Sequence, residues 1–386
     1  MPDRDISIPA VQVLRIICIL MILGLLVAGL APFNPFPRNE VRWIPGGKGL
    51  EFFGQGQIET SGQIAQASAL AGTFCGLTIR VQPKIVYLNN SATFLAFYAP
   101  DNPSGFRLMQ YRDELLVRHD YRDDRNHVRT PEIEIGHAFT GVEPVDFMIT
   151  SGPDGTVAYR NGLRLGASAH MKLSCADLSG QLVIGDSPVS YNPWVGTVLD
   201  LAIYNSGLKP QQRVLNGVTN GSQAGPPLPD ERGLLAHYSF SERSGQVVHN
   251  VAGGAPDLQI PRTFQITHKK LLILPWNEVR DKLGLRDITI NIVGFMPFGL
   301  VLLAYLEGVK RWQRALTGTV LAGFAISLTI EILQAYLPSR TSGVLDIINN
   351  TLGTYLGALL FRWSPVQTYA AKLLRNTNNG LVVEID

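Results

Sequence analysis

The residues best placed to do chemistry are ionisable and amide side chains set inside apolar stretches. Holding a charge in hydrocarbon is costly, so such residues are retained where they bind, relay or pair. Asp287 and Asn291 open one apolar stretch, Glu331 and Gln334 lie near the end of a second, and Asp346 and Asn350 open a third. The i, i+4 and i, i+3 spacings put each pair on one helical face. Gly294 and Phe298 continue the first face, Gly353 and Gly357 the last, and Arg340 sits in the turn before Asp346. With a rise of ~1.5 Å per residue, Glu331 lies ~10 Å inside the outer end of its helix, and Asn350 at a similar depth. The candidate ligand-binding residues are therefore Asp287, Asn291, Glu331, Gln334, Arg340, Asp346 and Asn350. Carboxylates suit sugar hydroxyls, and the Arg340 guanidinium suits a phosphate. Glu331 and Asp346 are the catalytic candidates, Glu331 as general base. The sequence offers no nucleophile elbow and no His cluster of metal-ligand type, and it implies neither a metal nor a cofactor.

The elements that must position these groups are membrane helices. Apolar runs cover Ile16–Phe33, Ile288–Leu306, Ala315–Leu337 and Val344–Trp363, each close to the ~20 residues a crossing needs. The first reads as an uncleaved span rather than a signal peptide, because it continues to Phe33 without a clean small-residue cleavage site. Lys310, Arg311 and Arg314 lie between the second and third runs, and Arg362, Lys372 and Arg375 follow the fourth. The excess of basic residues in cytoplasmic loops puts both groups inside and the long middle region outside. That pattern predicts a multi-pass membrane protein, with membrane lipid as one partner. The polar tail at 364–386 is cytoplasmic. A net charge of +2 over 386 residues leaves no electrostatic footprint for nucleic acid.

The middle region has a different texture. Short β-rich runs recur between turn residues at Phe94–Tyr98, Phe106–Tyr111, Leu115–His119, Phe147–Thr150, Thr156–Arg160, Leu182–Gly185 and Val198–Tyr204, and Asp154–Gly155 marks a hairpin. That spacing predicts an all-β sandwich or jelly roll. Of three cysteines, Cys75 and Cys175 fall here. Either they pair, or they stay as two free buried thiols packing as small hydrophobes.

Two resemblances follow from these residues. Gly180-Gln-Leu-Val-Ile-Gly185, Trp194-Val-Gly196 and Leu199-Asp-Leu-Ala-Ile-Tyr204, with Leu208, resemble the closing half of a concanavalin A-like, laminin G-type domain, and Lys48–Ile58 resembles its early strand. Gly233–Gly245 resembles the opening strand of such domains yet stands at the end of the region, which implies either a truncated second copy or, the better fit, a circular permutation with this segment beside Trp43–Ile58. Some members of that fold are glucanases, but Glu132-Ile-Glu134 lacks the rest of their acid pattern. Tyr191 and Trp194 are candidate glycan-stacking residues, although aromatics so spaced are more often core.

The helical constellation resembles the VanZ-like family. The matching residues are Asp287-x-x-x-Asn291-x-x-Gly-Phe295-x-Pro297-x-Gly299, Glu331-x-x-Gln334, Pro338-x-Arg340 and Asp346-x-x-x-Asn350-Thr-x-Gly353-x-x-x-Gly357. The resemblance implies a four-helix envelope protein, associated in its name-giving member with resistance to teicoplanin and in relatives with surface-polysaccharide genes. The expected organisation is a first helix at 11–33, a sandwich at 40–267 inserted into the helical unit, and three helices at 271–363. Four readings of the polar residues stay open: a clasp between helices, a site for envelope glycan or lipid-linked saccharide, an enzyme acting on a lipid-linked substrate, and a transporter. An enzyme is the less favoured outcome against binding or scaffold.

Overall fold

A computed structural model describes residues 8–65, 74–102, 105–123, 125–206, 233–273, 282–308 and 313–363. Lys310, Arg311, Leu208 and the 364–386 tail, which entered the sequence reading, lie outside these residues. The chain divides into two compact units, one of residues 36–269 and one of residues 1–35 with 270–386.

Unit 36–269 is a β-sandwich of two antiparallel eight-stranded sheets of jelly-roll type. One sheet runs in the order Val41–Trp43, Leu50–Phe53, Val195–Tyr204, Gly76–Pro83, Val145–Gly152, Gly155–Arg160 and Leu163–Ser168, with Leu234–Tyr238 also paired to Val195–Tyr204. The other runs Glu132–Ile135, Glu114–His119, Phe106–Arg112, Leu88–Tyr98, Gln181–Ile184, Ile58–Gln63, Leu258–Gln259 and Val247–Val248. The strands form because apolar residues recur at the period of two that faces one side of a sheet. Leu77, Ile79 and Val81 on one central strand are fully buried, as are Leu182 and Ile184 on another. Both inner faces feed one core, which includes Phe52, Phe94, Phe147, Trp194 and Tyr238. The expected hairpin pairs Gly152 with Gly155, and the positive φ of 110° at Gly155 is the conformation glycine tolerates best.

The late strand Leu234–Tyr238 completes the first sheet. It pairs with Leu201–Tyr204, while Leu50–Phe53 pairs with Val195–Val198 of the same long strand. The Gly49 amide donates to the Phe240 carbonyl at 2.9 Å and Trp43 Nε1 to the Gly245 carbonyl at 2.9 Å. The opening-type segment thus lies beside Trp43–Ile58 and belongs to the one sandwich rather than to a truncated second copy. The ends of the unit are also paired. Arg38 bridges Thr263, Phe264 N–H donates to the Pro37 carbonyl at 2.8 Å, and Asn39 Nδ2 reaches the Gln57 and Pro261 carbonyls, each at 2.8 Å.

Cys75 and Cys175 form a disulfide, 100 residues apart in sequence. This corrects the free-thiol alternative. Pairing of Phe74 with Ser174 brings the two strand ends together and sets the Cα atoms 4.8 Å apart, within bridging reach. The loop after Gln181–Ile184 is held from inside. Asp186, fully buried, accepts the Ser187 and Asn192 amides at 2.6 and 2.7 Å, and its Oδ2 has no partner among the described residues. Burial pushes its carboxyl well above the usual range, and the two N–H donors offset that only in part.

The second unit contains α1 (Ile8–Leu30), α2 (Lys282–Gly308), α3 (Ala315–Gln334) and α4 (Val344–Arg362). All four are long and apolar enough to cross a membrane, and the chain is a membrane protein. Large apolar side chains point outward along them, among them Leu20, Val27, Val293 and Leu321, each more than half exposed, as lipid-facing surfaces require. Helix α1 stops at Leu30 because Pro32 and Pro35 cannot continue it. Glycines let α2 and α4 touch backbone to backbone. A Cβ at Gly353 would collide with the Ile292 carbonyl, one at Gly357 with that of Met296, and one at Gly299 with that of Thr354. The Gly-x-x-x-Gly spacing in α4 is thus used for close approach.

Candidate functional site

The polar residues of the helices meet at the start of α4. Glu331, 1 % exposed near the end of α3, accepts the Gly343 N–H on Oε2 at 2.7 Å. Gly343 immediately precedes α4, whose first turns leave N–H groups without intrahelical acceptors. Asp346 lies in the first turn of that helix, and its Oδ2 is 3.8 Å from the position a Cβ on Gly343 would take. The two carboxylates therefore flank one backbone position at the positive end of a helix dipole, where negative charge is favoured. Asn291 of α2 reaches the same place, donating from Nδ2 to Asp346 Oδ1 at 2.7 Å. Residues 271–273 close one side: the Ile273 amide donates to the Ser342 carbonyl at 2.9 Å, and the Val344 amide to the Ile273 carbonyl at 3.0 Å.

One turn deeper, Asn350 donates from Nδ2 to Ser327 Oγ of α3 at 2.9 Å, while its buried Oδ1 has no partner among the described residues. Ser327 did not enter the sequence reading. It lies four residues before Glu331 on the same helical face, which was the available signal. Asp287 is exposed and joins none of these groups, although it shares a face with Asn291 in sequence.

Gln334 and Arg340 do something else. Gln334 Nε2 donates to the Gly29 carbonyl at 2.8 Å, and Arg340 Nη2 donates to the Ala31 carbonyl. Both serve the end of α1, where the last carbonyls have no helical donors and a cation complements the dipole. Among the described residues, the buried Arg340 Nε has no partner. Five of the seven residues, Asn291, Glu331, Gln334, Asp346 and Asn350, therefore bond across helices or to the turn before α4, and Arg340 joins them through the segment after α1.

Residues 237–365 match the family model described as VanZ/LLP1. This covers about one third of the chain and includes all seven polar residues, so the helices that carry them are VanZ-like. No curated protein matches the chain. Among solved structures, a native heptameric SAP-like pentraxin from Limulus polyphemus is similar at 15 % identity, covering 58 % of this chain and 93 % of that one, with a TM-score of 0.35. A putative carbohydrate binding protein from Bacteroides ovatus shares 12 % identity over 54 % of this chain and 59 % of that one, with a TM-score of 0.34. The CBM40 of the Ruminococcus gnavus IT-sialidase shares 11 % over 43 % and 94 %, with a TM-score of 0.32. At these scores the likeness bears on neither ligand nor activity.

In the sandwich, the structure corrects one candidate. Trp194 is fully buried, packs 5.5 Å from the Phe94 ring, and donates from Nε1 to Gln110 Oε1 at 2.8 Å. It has no face to offer a sugar. Tyr191 is half-buried, its ring edge-on to Phe264 at 6.0 Å. Glu132 is ion-paired with Arg118 on an edge strand. Asp200, also buried, forms a charged group with His237 Nε2 at 3.3 Å and Lys48 Nζ at 3.2 Å. Burial pushes its carboxyl up, but His237 and Lys48 outweigh that and hold it below the usual range.

Proposed function

We propose that the VanZ-like helices bind the headgroup of an envelope glycan or lipid-linked saccharide at the outer face of a bacterial inner membrane. The observation that carries this reading is the convergence of Glu331 and Asp346, from two helices, on the backbone of Gly343. Carboxylates held at one point near the end of apolar helices suit the hydroxyls of a saccharide whose lipid portion stays in the bilayer. Arg340 supplies a phosphate partner by exchanging its contact with the Ala31 carbonyl for an oxyanion. The disulfide supports an oxidising, extracytoplasmic location for the sandwich, and the basic residues between α2 and α3 support the same topology.

The interhelical bonds of Asn291, Gln334 and Asn350 favour a second reading, in which the cluster is a clasp that fixes helix packing. Binding separates the two. The full chain in lipid nanodiscs is titrated with a polyprenyl diphosphate-linked saccharide, beside the variants Glu331→Gln and Arg340→Ala. Binding by the wild type, lost in variants that keep their helical content, supports the site. Absence of binding by a folded wild type leaves the clasp. Release of a cleaved product during the titration, lost in Glu331→Gln, would instead mark Glu331 as a general base.

A further inference from the structure

The sandwich contains a small cleft between the loop 138–145 and the end of the 155–160 strand. Its volume is about 250 Å³, below the ~300–1,000 Å³ of pockets that enclose drug-sized ligands. It therefore suits one sugar ring or a terminal substituent rather than an extended chain. Ala138, Phe139 and Val145 form an apolar lining and are at most 3 % exposed. Arg160 and Thr140 supply the polar lining, with Glu143 exposed at the rim.

Arg160 is out of balance with its surroundings. Among the described residues it donates one hydrogen bond, from Nη2 to Thr140 Oγ1 at 2.7 Å, and its buried Nε finds no acceptor. Other half-buried arginines of the sandwich are neutralised, Arg80 by Asp146 at 3.1 Å and Arg107 by Asp120 at 2.8 Å. Among the described residues, no carboxylate pairs with Arg160. A half-buried guanidinium without a counter-charge keeps its desolvation cost uncompensated, and its planar fork is shaped to take two oxygens of one oxyanion.

We infer that this cleft binds a small saccharide carrying a single anionic group, whose oxyanion pairs with Arg160. Thr140 holds the guanidinium in place and the apolar lining takes the face of the ring. Glu143 accepts sugar hydroxyls at the rim, and its charge disfavours ligands that carry several anionic groups. The oxyanion is either a ring carboxylate or a phosphate ester. The site lies within the sandwich and does not depend on the helical site, so either reading can fail alone.

The test uses the detergent-solubilised full chain and ligand-observed NMR with glucuronate, glucose 6-phosphate and glucose. Glucuronate or glucose 6-phosphate should bind at least roughly tenfold more tightly than glucose, and the tighter of the two identifies the oxyanion. Arg160→Gln should lower that affinity at least about tenfold, the loss expected for a charge-assisted pair. Thr140→Val should weaken it while leaving the charge in place, and it carries the test if Arg160→Gln does not fold. Arg164→Gln, an exposed arginine on the neighbouring strand, should change nothing. Equal binding of all three sugars, no binding, or an Arg160→Gln variant that binds like wild type overturns the inference.

Discussion

Replacing both Cys75 and Cys175 by Ser opens a bridge that closes a loop of 100 residues. In the chain-entropy account, such a crosslink removes roughly 16 cal/mol/K from the unfolded chain, or about 4.7 kcal/mol at 25 °C. Native bridges deliver ~2–5 kcal/mol when removed, so about 3–5 kcal/mol is the expected loss. The Phe74–Ser174 pairing remains in the variant, which keeps the native state close to its present form and puts most of the effect in the unfolded chain. With a urea dependence of ~3 kcal/mol/M for a domain of this size, the unfolding midpoint should fall by roughly 1–1.7 M. Tryptophan fluorescence of the full chain in detergent reads the transition, because Trp194 passes from a fully buried site to solvent. The single variant Cys75→Ser should lose nearly as much as the double, since either opens the same loop. A double variant within about 0.5 kcal/mol of wild type, or a wild type insensitive to reductant, would refute the crosslink as a major source of stability.

Two further expectations rest on close packing and on a buried acid. Gly357→Ala puts a methyl group against the Met296 carbonyl, an overpacking that costs ~1–3 kcal/mol and should lower the thermal midpoint of the helices; Ala at exposed Gly24, which has open space around it, should not. Asp186 has a folded-state pKa above its unfolded value. Its stabilising contribution is therefore complete below the unfolded pKa of about 4 and is lost as pH rises through the raised value. Asp186→Asn should remove that decline, seen as urea midpoints of variant and wild type diverging as pH rises above about 4. Parallel midpoints across that range would sink the assignment.

Much of the architecture was legible because it rests on periodicity. The apolar runs and the β-rich runs predict the observed elements, and the i, i+4 spacing of Asp346 and Asn350 puts both toward neighbouring helices. Partners were less legible. That Arg340 and Gln334 serve the end of α1 depends on which carbonyls a helix leaves unpaired near them, and nothing local in sequence shows this. Asp287 carries the same face pattern as Asn291 yet stays outside the cluster, because a helical face does not fix how far its neighbours extend. The bridge between Cys75 and Cys175 required strand pairing across 100 residues. Trp194 could serve a ring-stacking surface but fitted a core better, and its burial decides for the core. Arg160 attracted no notice in sequence, since its distinction is a missing partner.

The bond from Gln334 to the Gly29 carbonyl spans 305 positions, and that separation translates into time. Ribosomes add ~5–20 residues per second, so the end of α1 waits about 15–60 s for the side chain that completes it. Throughout that interval the sandwich strands emerge, and the strand Leu234–Tyr238, which pairs with Leu201–Tyr204, comes about two thirds of the way through. Helix α1 must therefore hold its place in the bilayer on lipid contacts alone, which its outward Leu20, Leu23 and Val27, each more than half exposed, equip it to do. The last helices then arrive at an anchor already set, and the carbonyls of Gly29 and Ala31 are the latch they close.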